Sequence, residues 1–222
     1  MASWMVHLRV ADALLDNFDG LDETAFVVGN IAPDSGVPTP DWSAYVPDKN
    51  TSHFKRKYAD GKTEISPEGF AEQYFTREMQ AGYERKQYAF YLGYYVHLLT
   101  DVLWKQEVWY PSVEKYRAAY EADPKDMTRK WKKDWYDLDF LYLRDNPDFR
   151  AFQIYEQAVG FENDYLDIFA KDAFDDRRKY ITEFYRSKRE HLDREYLYLS
   201  KKQMDKFVVD AVEYIEKALS SG

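Results

Sequence analysis

From Tyr88 to Leu99 the chain reads Tyr-Ala-Phe-Tyr-Leu-Gly-Tyr-Tyr-Val-His-Leu-Leu, which is apolar or aromatic all the way round a helix. A helix with no polar face has no side to offer water, so it belongs in the middle of a bundle, covered by other elements. The segment predicts a central helix over about 85–110, closed by Pro111. The remaining helices must then supply one apolar stripe each.

The flanking sequence supplies those stripes. Trp4, His7, Leu8, Ala11, Leu14 and Leu15 recur at intervals of three and four, while Arg9, Asp12 and Asp16 fall on the other side, so a first helix starts near Ser3 and carries His7 on its buried face. A second helical run covers Asp22 to Asn30. Prolines at 33, 38, 40 and 47 then exclude a helix and predict an ordered loop that carries Asp34 and ends near His53. Ser66-Pro67-Glu68 reads as N-cap, first helical residue and first-turn acid of a helix to about Tyr83. Charged amphipathic segments follow at 112–122, 124–144, 148–159 and 173–190, broken near Pro124 and Pro147. Ser200 and Gln203 resemble a capping box, and Phe207, Val208, Ala211, Val212, Ile215 and Leu219 give the last helix its stripe. No segment alternates long enough for a strand. The expected fold is an all-α, single-domain multi-helix bundle spanning residues 1–222.

Composition narrows the chemistry. With 40 acidic and 31 basic residues the net charge is −9, which disfavours both a phosphate backbone and an anionic membrane surface as partner. The chain has 0 cysteines, so a bound metal must be held by imidazole and carboxylate. No export segment and no apolar run of membrane-spanning length is evident, and a cytoplasmic location is the expectation.

Of the 4 histidines, His7, His53 and His97 fall in segments that read as buried or enclosed. His191 lies in the charged run Lys188-Arg-Glu-His-Leu-Asp-Arg194 and reads as surface. His97 and Asp101 are four apart on the central helix, so their side chains share a face and can grip one cation or simply satisfy each other as a buried pair. Tyr94, Tyr95, Trp104 and Trp109 flank them and read as core before cleft.

Taken together, Trp4…His7, Gly29-Asn-Ile-Ala-Pro-Asp34, Ser52-His53-Phe54 and Tyr91-Leu-Gly-Tyr-Tyr-Val-His97-Leu-Leu-Thr-Asp101 resemble, in order and spacing, the zinc-dependent phospholipase C family, whose superfamily includes single-strand-specific zinc nucleases. The resemblance implies that Asp34, His53, His97 and Asp101 hold one metal and that Asp101 bridges to a second, held by His7. It also implies that Asp34 acts as general base on a metal-activated water. In the family the second ion takes the amino and carbonyl groups of an N-terminal tryptophan; the matching Trp4 here follows Met1-Ala2-Ser3, which makes its nitrogen an amide. Where the family pattern has a histidine six residues past the bridging aspartate, this chain has Glu107, a candidate additional ligand. Asp134, Asp137 and Asp139 form an acidic cluster, read first as a solvated face and otherwise as a carboxylate-rich site for magnesium or manganese.

Two functions follow as expectations. One is a metal-dependent phosphoester hydrolase, with one or two ions, most naturally zinc, and a small phosphoester or phospholipid as substrate. The other is a non-catalytic binding or scaffolding module with one structural metal or none. Nucleic-acid cleavage would need a local basic groove, for which Lys130-Trp-Lys-Lys133 and Arg177-Arg-Lys179 are the only candidate runs.

Overall fold

In the computed structural model, residues 1–41 and 43–221 are described, and they form an all-α assembly with two small hairpins. In chain order the helices are α1 (Trp4–Leu14), α2 (Glu23–Ile31), α3 (Lys49–Ser52), α4 (Pro67–Tyr74), α5 (Arg77–Gly82), α6 (Arg85–Trp104), α7 (Tyr110–Lys115), α8 (Arg117–Ala122), α9 (Pro124–Asp145), α10 (Arg150–Gln157), α11 (Ala173–Arg186) and α12 (Lys201–Ser221). Helix α6 is the buried centre: Phe90, Tyr94, Val96, His97, Leu98 and Asp101 are fully enclosed, and α1, α2, α4 and α12 pack against it. No helix among the described residues is long and apolar enough to cross a membrane.

Local signals set most helix starts. Ser3, Asp22, Ser66 and Thr76 each accept a backbone N–H of the first turn through their side chains, which satisfies a donor the helix itself cannot use. The Ser200/Gln203 capping box forms in both directions, with Gln203 Oε1 accepting from Ser200 N at 2.9 Å and Ser200 Oγ accepting from Gln203 N at 3.3 Å.

Several expected boundaries differ: the 112–122 segment divides at Tyr116, the 173–190 helix ends at Arg186, and two differences touch the central scaffold. The helix from Pro67 stops at Tyr74, because Thr76 caps a separate helix and Gln80 Nε2 donates to the freed Phe75 carbonyl at 2.7 Å. Pro111 does not close the central helix. Residues Lys105–Trp109 widen into a π-turn, and α7 continues from Tyr110 with Pro111 in its first turn. The wider turn makes room for a proline ring that an unbroken α-helix would press against the carbonyl four residues earlier.

The packing of α2 on α6 positions the site. A Cβ on Gly29 would come within 2.1 Å of the Phe90 carbonyl oxygen, and one on Gly93 within 2.1 Å of the Phe26 carbonyl oxygen. Only glycine lets the two backbones approach this closely. Asn30 Nδ2 then donates to the Gly93 carbonyl at 3.3 Å, tying the end of α2 to the middle of α6. The Pro-rich segment that follows is ordered by a hairpin pairing Val37 with Val46 and Pro38 with Tyr45, and it delivers the chain to α3.

Candidate metal centre

Helix α6 contributes His97 and Asp101, one turn apart and both with 0% exposure. His97 Nδ1 lies 2.7 Å from the Asn30 carbonyl oxygen. A carbonyl only accepts, so Nδ1 carries the proton, and in the neutral ring Nε2 keeps its lone pair for the interior. The α2–α6 crossing thereby fixes the tautomer of a residue on the other helix.

His7 enters from α1 and stacks flat on His97, with ring centroids 3.7 Å apart and planes at 6°. His53 enters from the end of α3, where Ser52 Oγ meets its Nδ1 at 2.9 Å. Its neighbours hold it from both sides: the Tyr94 hydroxyl donates to the Ser52 carbonyl, and Phe54, in the left-handed region at φ 48°, turns the backbone away. A bulky residue held at positive φ costs free energy, which surrounding packing must repay; Phe54 sits against Phe70, Tyr74 and Tyr94.

These side chains converge on Asp101. His7 Nε2 lies 3.4 Å from its Oδ1, while His53 Nε2 and His97 Nε2 each lie 3.5 Å from its Oδ2. Asp34, its side chain 6% exposed, stands beyond His53, whose Nε2 is 3.6 Å from Asp34 Oδ1. Two sets of ligand atoms therefore lie within 4.8 Å of one another: His7, His97 and Asp101, and Asp34, His53 and His97.

Electrostatics prepare His7, His53, Asp101 and Asp34 as donors. Burial lowers the pKa of His7 to about 4 and that of His53 to about 3, so both rings are neutral at physiological pH and offer lone pairs. Burial opposes ionisation of Asp101, but the Met1 α-amino group and the imidazoles of His7 and His97 outweigh it and hold the carboxyl well below its usual range. Burial likewise opposes ionisation of Asp34, and Lys49, His97 and His53 outweigh it. The centre thus holds two carboxylates, Asp34 with Lys49 Nζ at 3.5 Å and Asp101 with the Met1 α-amino group nearby. His7 Nδ1 and Nε2 and Asp101 Oδ2 are buried without any hydrogen-bond partner. Unpaired buried acceptors are costly, and a divalent cation would satisfy them.

The family model for zinc dependent phospholipase C matches residues 6–220. The chain belongs to that family. One curated relative, the portal protein of Acyrthosiphon pisum secondary endosymbiont phage 1, is 27% identical over 132 residues, covering 54% of this chain and 16% of that protein. No solved structure matches. The donor set suits the metal that the family description implies: imidazole nitrogens and carboxylate oxygens, with no thiolate, around one point.

Against the family pattern, three placements are informative. The amide of Ala2, two residues before Trp4, donates to Asp101 Oδ1 at 2.7 Å; the Trp4 ring instead packs among Tyr136, Tyr180, Phe184 and Tyr185. Glu107 is exposed on the π-turn, with Asp210 and Lys206 of α12 as its charged neighbours, and joins neither ligand set. His191 is exposed at φ 59° and takes no part.

The acidic cluster corrects a reading. Asp134, Asp137 and Asp139 are not a solvated face; they are 3%, 1% and 2% exposed. Arg194 bridges Asp134 and Asp137 at 2.7 Å each, Arg189 reaches Asp137 at 2.8 Å, and Lys133 at 2.6 Å. Protein cations fill the position a metal would need. Asp139 is held apart by the Ser3 and Tyr185 hydroxyls, both donating at 2.8 Å. The arginines come from the chain between α11 and α12, far in sequence from the aspartates, so no local pattern announced the pairing. Tyr94 and Trp104 are fully buried core, as their types suggest.

Proposed function

We propose that the chain is a metal-dependent phosphoester hydrolase, in a single domain, whose ions are held by His7, Asp34, His53, His97 and Asp101. The observation that carries this reading is the convergence of three imidazoles on both oxygens of Asp101, next to an Asp34 carboxylate that also lines an open cleft. A purely structural site would be closed on all sides by protein ligands; here one ligand faces a space of about 340 Å³.

Asp101 is the bridging ligand in this reading, since Oδ1 faces His7 and Oδ2 faces His53 and His97. When bound, a divalent ion supplies Lewis acidity that acidifies water and stabilises charge building on a phosphoryl oxygen. Asp34 remains ionised, orients the attacking water at the cleft edge and accepts its proton transiently. Lys49, 3.5 Å from Asp34, restrains that carboxylate and offsets its charge. Zinc is the ion the donor set and the family favour.

The test is elemental analysis of tag-free protein, followed by a phosphoester screen of the loaded form. One or two equivalents of zinc per chain with phosphoester turnover supports the reading. Absence of bound metal after incubation with zinc would return His97 and Asp101 to a core pair and leave a non-catalytic module.

A further inference from the structure

Two basic runs of the sequence, Lys130-Trp-Lys-Lys133 and Arg177-Arg-Lys179, meet at the cleft beside Asp34. Lys132, from α9, and Arg177, from α11, line it together with Lys49, Trp4 and Tyr180. The other basic residues of those runs are already neutralised. Lys130 pairs with Asp126 at 2.6 Å, Lys133 with Asp137 at 2.6 Å, Arg178 with Asp175 at 2.7 Å, and Lys179 with Asp175 at 3.0 Å. Among the described residues, Lys132 and Arg177 have no carboxylate within 4.0 Å; Arg177 donates only to the Gly36 carbonyl, at 2.5 Å. Its guanidinium stands 5.4 Å from the Tyr180 ring centroid and 5.9 Å from that of Trp4, two faces that fix its direction. Lys132 lines the same cleft as Lys49 and Asp34.

A chain of net charge −9 therefore concentrates two unpaired cations in one concave site. Paired neighbours on either side mean that the positive charge is a spot and not a stripe, which suits a small anion and not a polyanionic backbone. Asp34 and Asp176 also line the cleft, but Asp34 pairs with Lys49 at 3.5 Å and Asp176 with Lys179 at 3.2 Å, so Lys132 and Arg177 supply its unpaired charge.

The geometry points to the cleft as a subsite for a terminal phosphate, so that the preferred substrates are dianionic phosphomonoesters recognised by Lys132 and Arg177. The inference rests on the hydrolase reading of the adjoining centre. Water oxygen forms a bond to phosphorus, the phosphorus–ester oxygen bond breaks, and the leaving oxygen takes a proton, giving an alcohol and inorganic phosphate. The same phosphate group occurs on a lipid, as phosphatidate, and on soluble esters.

The experiment compares dihexanoyl phosphatidate, glycerol 3-phosphate and dihexanoyl phosphatidylcholine as substrates of the zinc-loaded protein, wild type and as Lys132→Gln and Arg177→Gln. Expected is a monoester preference in the wild type, with the monoester-to-choline ratio of kcat/KM falling about tenfold in each variant, the size of one charge-assisted hydrogen bond. Hydrolysis of glycerol 3-phosphate as well as phosphatidate identifies the free phosphoester as source; hydrolysis of phosphatidate alone identifies the lipid. An unchanged ratio in both variants, or a choline-ester preference in the wild type, overturns the assignment. If no ester is cleaved, the hydrolase reading falls, and calorimetry with inorganic phosphate then decides the subsite alone: binding that weakens about tenfold in the variants retains it, and binding equal in all three proteins, or none, removes it.

Discussion

The Nε2 atoms of His53 and His97 lie 3.4 Å apart in the buried centre, and each stands 3.5 Å from the same oxygen, Asp101 Oδ2. That oxygen has no hydrogen-bond partner. Two imidazole nitrogens and a carboxylate oxygen pointed at each other form an arrangement that a cation completes.

The first prediction concerns Asp101. Because its two oxygens face different histidines, Asp101→Asn should lower bound metal per chain more than loss of any single histidine. Atomic emission measurements on the purified variants check this, and an unaltered metal stoichiometry in Asp101→Asn would remove the bridging role.

His191 provides the contrast. It is exposed and remote from both ligand sets, so His191→Ala should keep the wild-type metal content. Loss of metal in that variant would mean that the wrong histidines have been assigned.

The glycine crossing should be intolerant of a methyl group. Gly93→Ala places a Cβ 2.1 Å from the Phe26 carbonyl oxygen, backbone that cannot step aside cheaply. Urea unfolding should show a loss of about 3 kcal/mol, the upper part of the usual range for overpacking. A loss under about 0.5 kcal/mol would show that α2 can slide on α6.

Asp139 should make stability fall as pH rises. Burial raises its pKa to about 7, outweighing the hydrogen bonds from Tyr185 and Ser3. The folded carboxyl is therefore protonated over a range, between the ordinary value of 3.8 and about 7, in which the unfolded one is ionised. The native state binds the extra proton, so this group's contribution declines through that window and its penalty is complete above it. Asp139→Asn cannot ionise, and its stability relative to wild type should improve by a few kcal/mol between pH 5 and pH 8 in paired urea titrations. A pH-independent difference would mean that Asp139 titrates normally.

The sequence by itself determined the buried central helix, because Tyr88–Leu99 has no polar face to expose, and the caps, because Ser3, Asp22, Ser66 and Ser200 each satisfy donors within their own turn. It also marked His7, His53, His97, Asp34 and Asp101, whose order resembles the family's. Tertiary structure alone decided the rest. The approach of Gly29 to Phe90, which lets Asn30 set the His97 tautomer, depends on two helices about sixty residues apart meeting backbone to backbone. The exclusion of a metal from the Asp134–Asp137 cluster depends on Arg189 and Arg194 arriving from the far end of the chain. Whether Lys132 and Arg177 act as surface charges or as walls of one cleft likewise depends on α9 and α11 packing side by side at Asp34. Local spacing encodes what a residue can do within its own helix; charge compensation and ligand convergence are long-range, and only the packed chain brings those partners together.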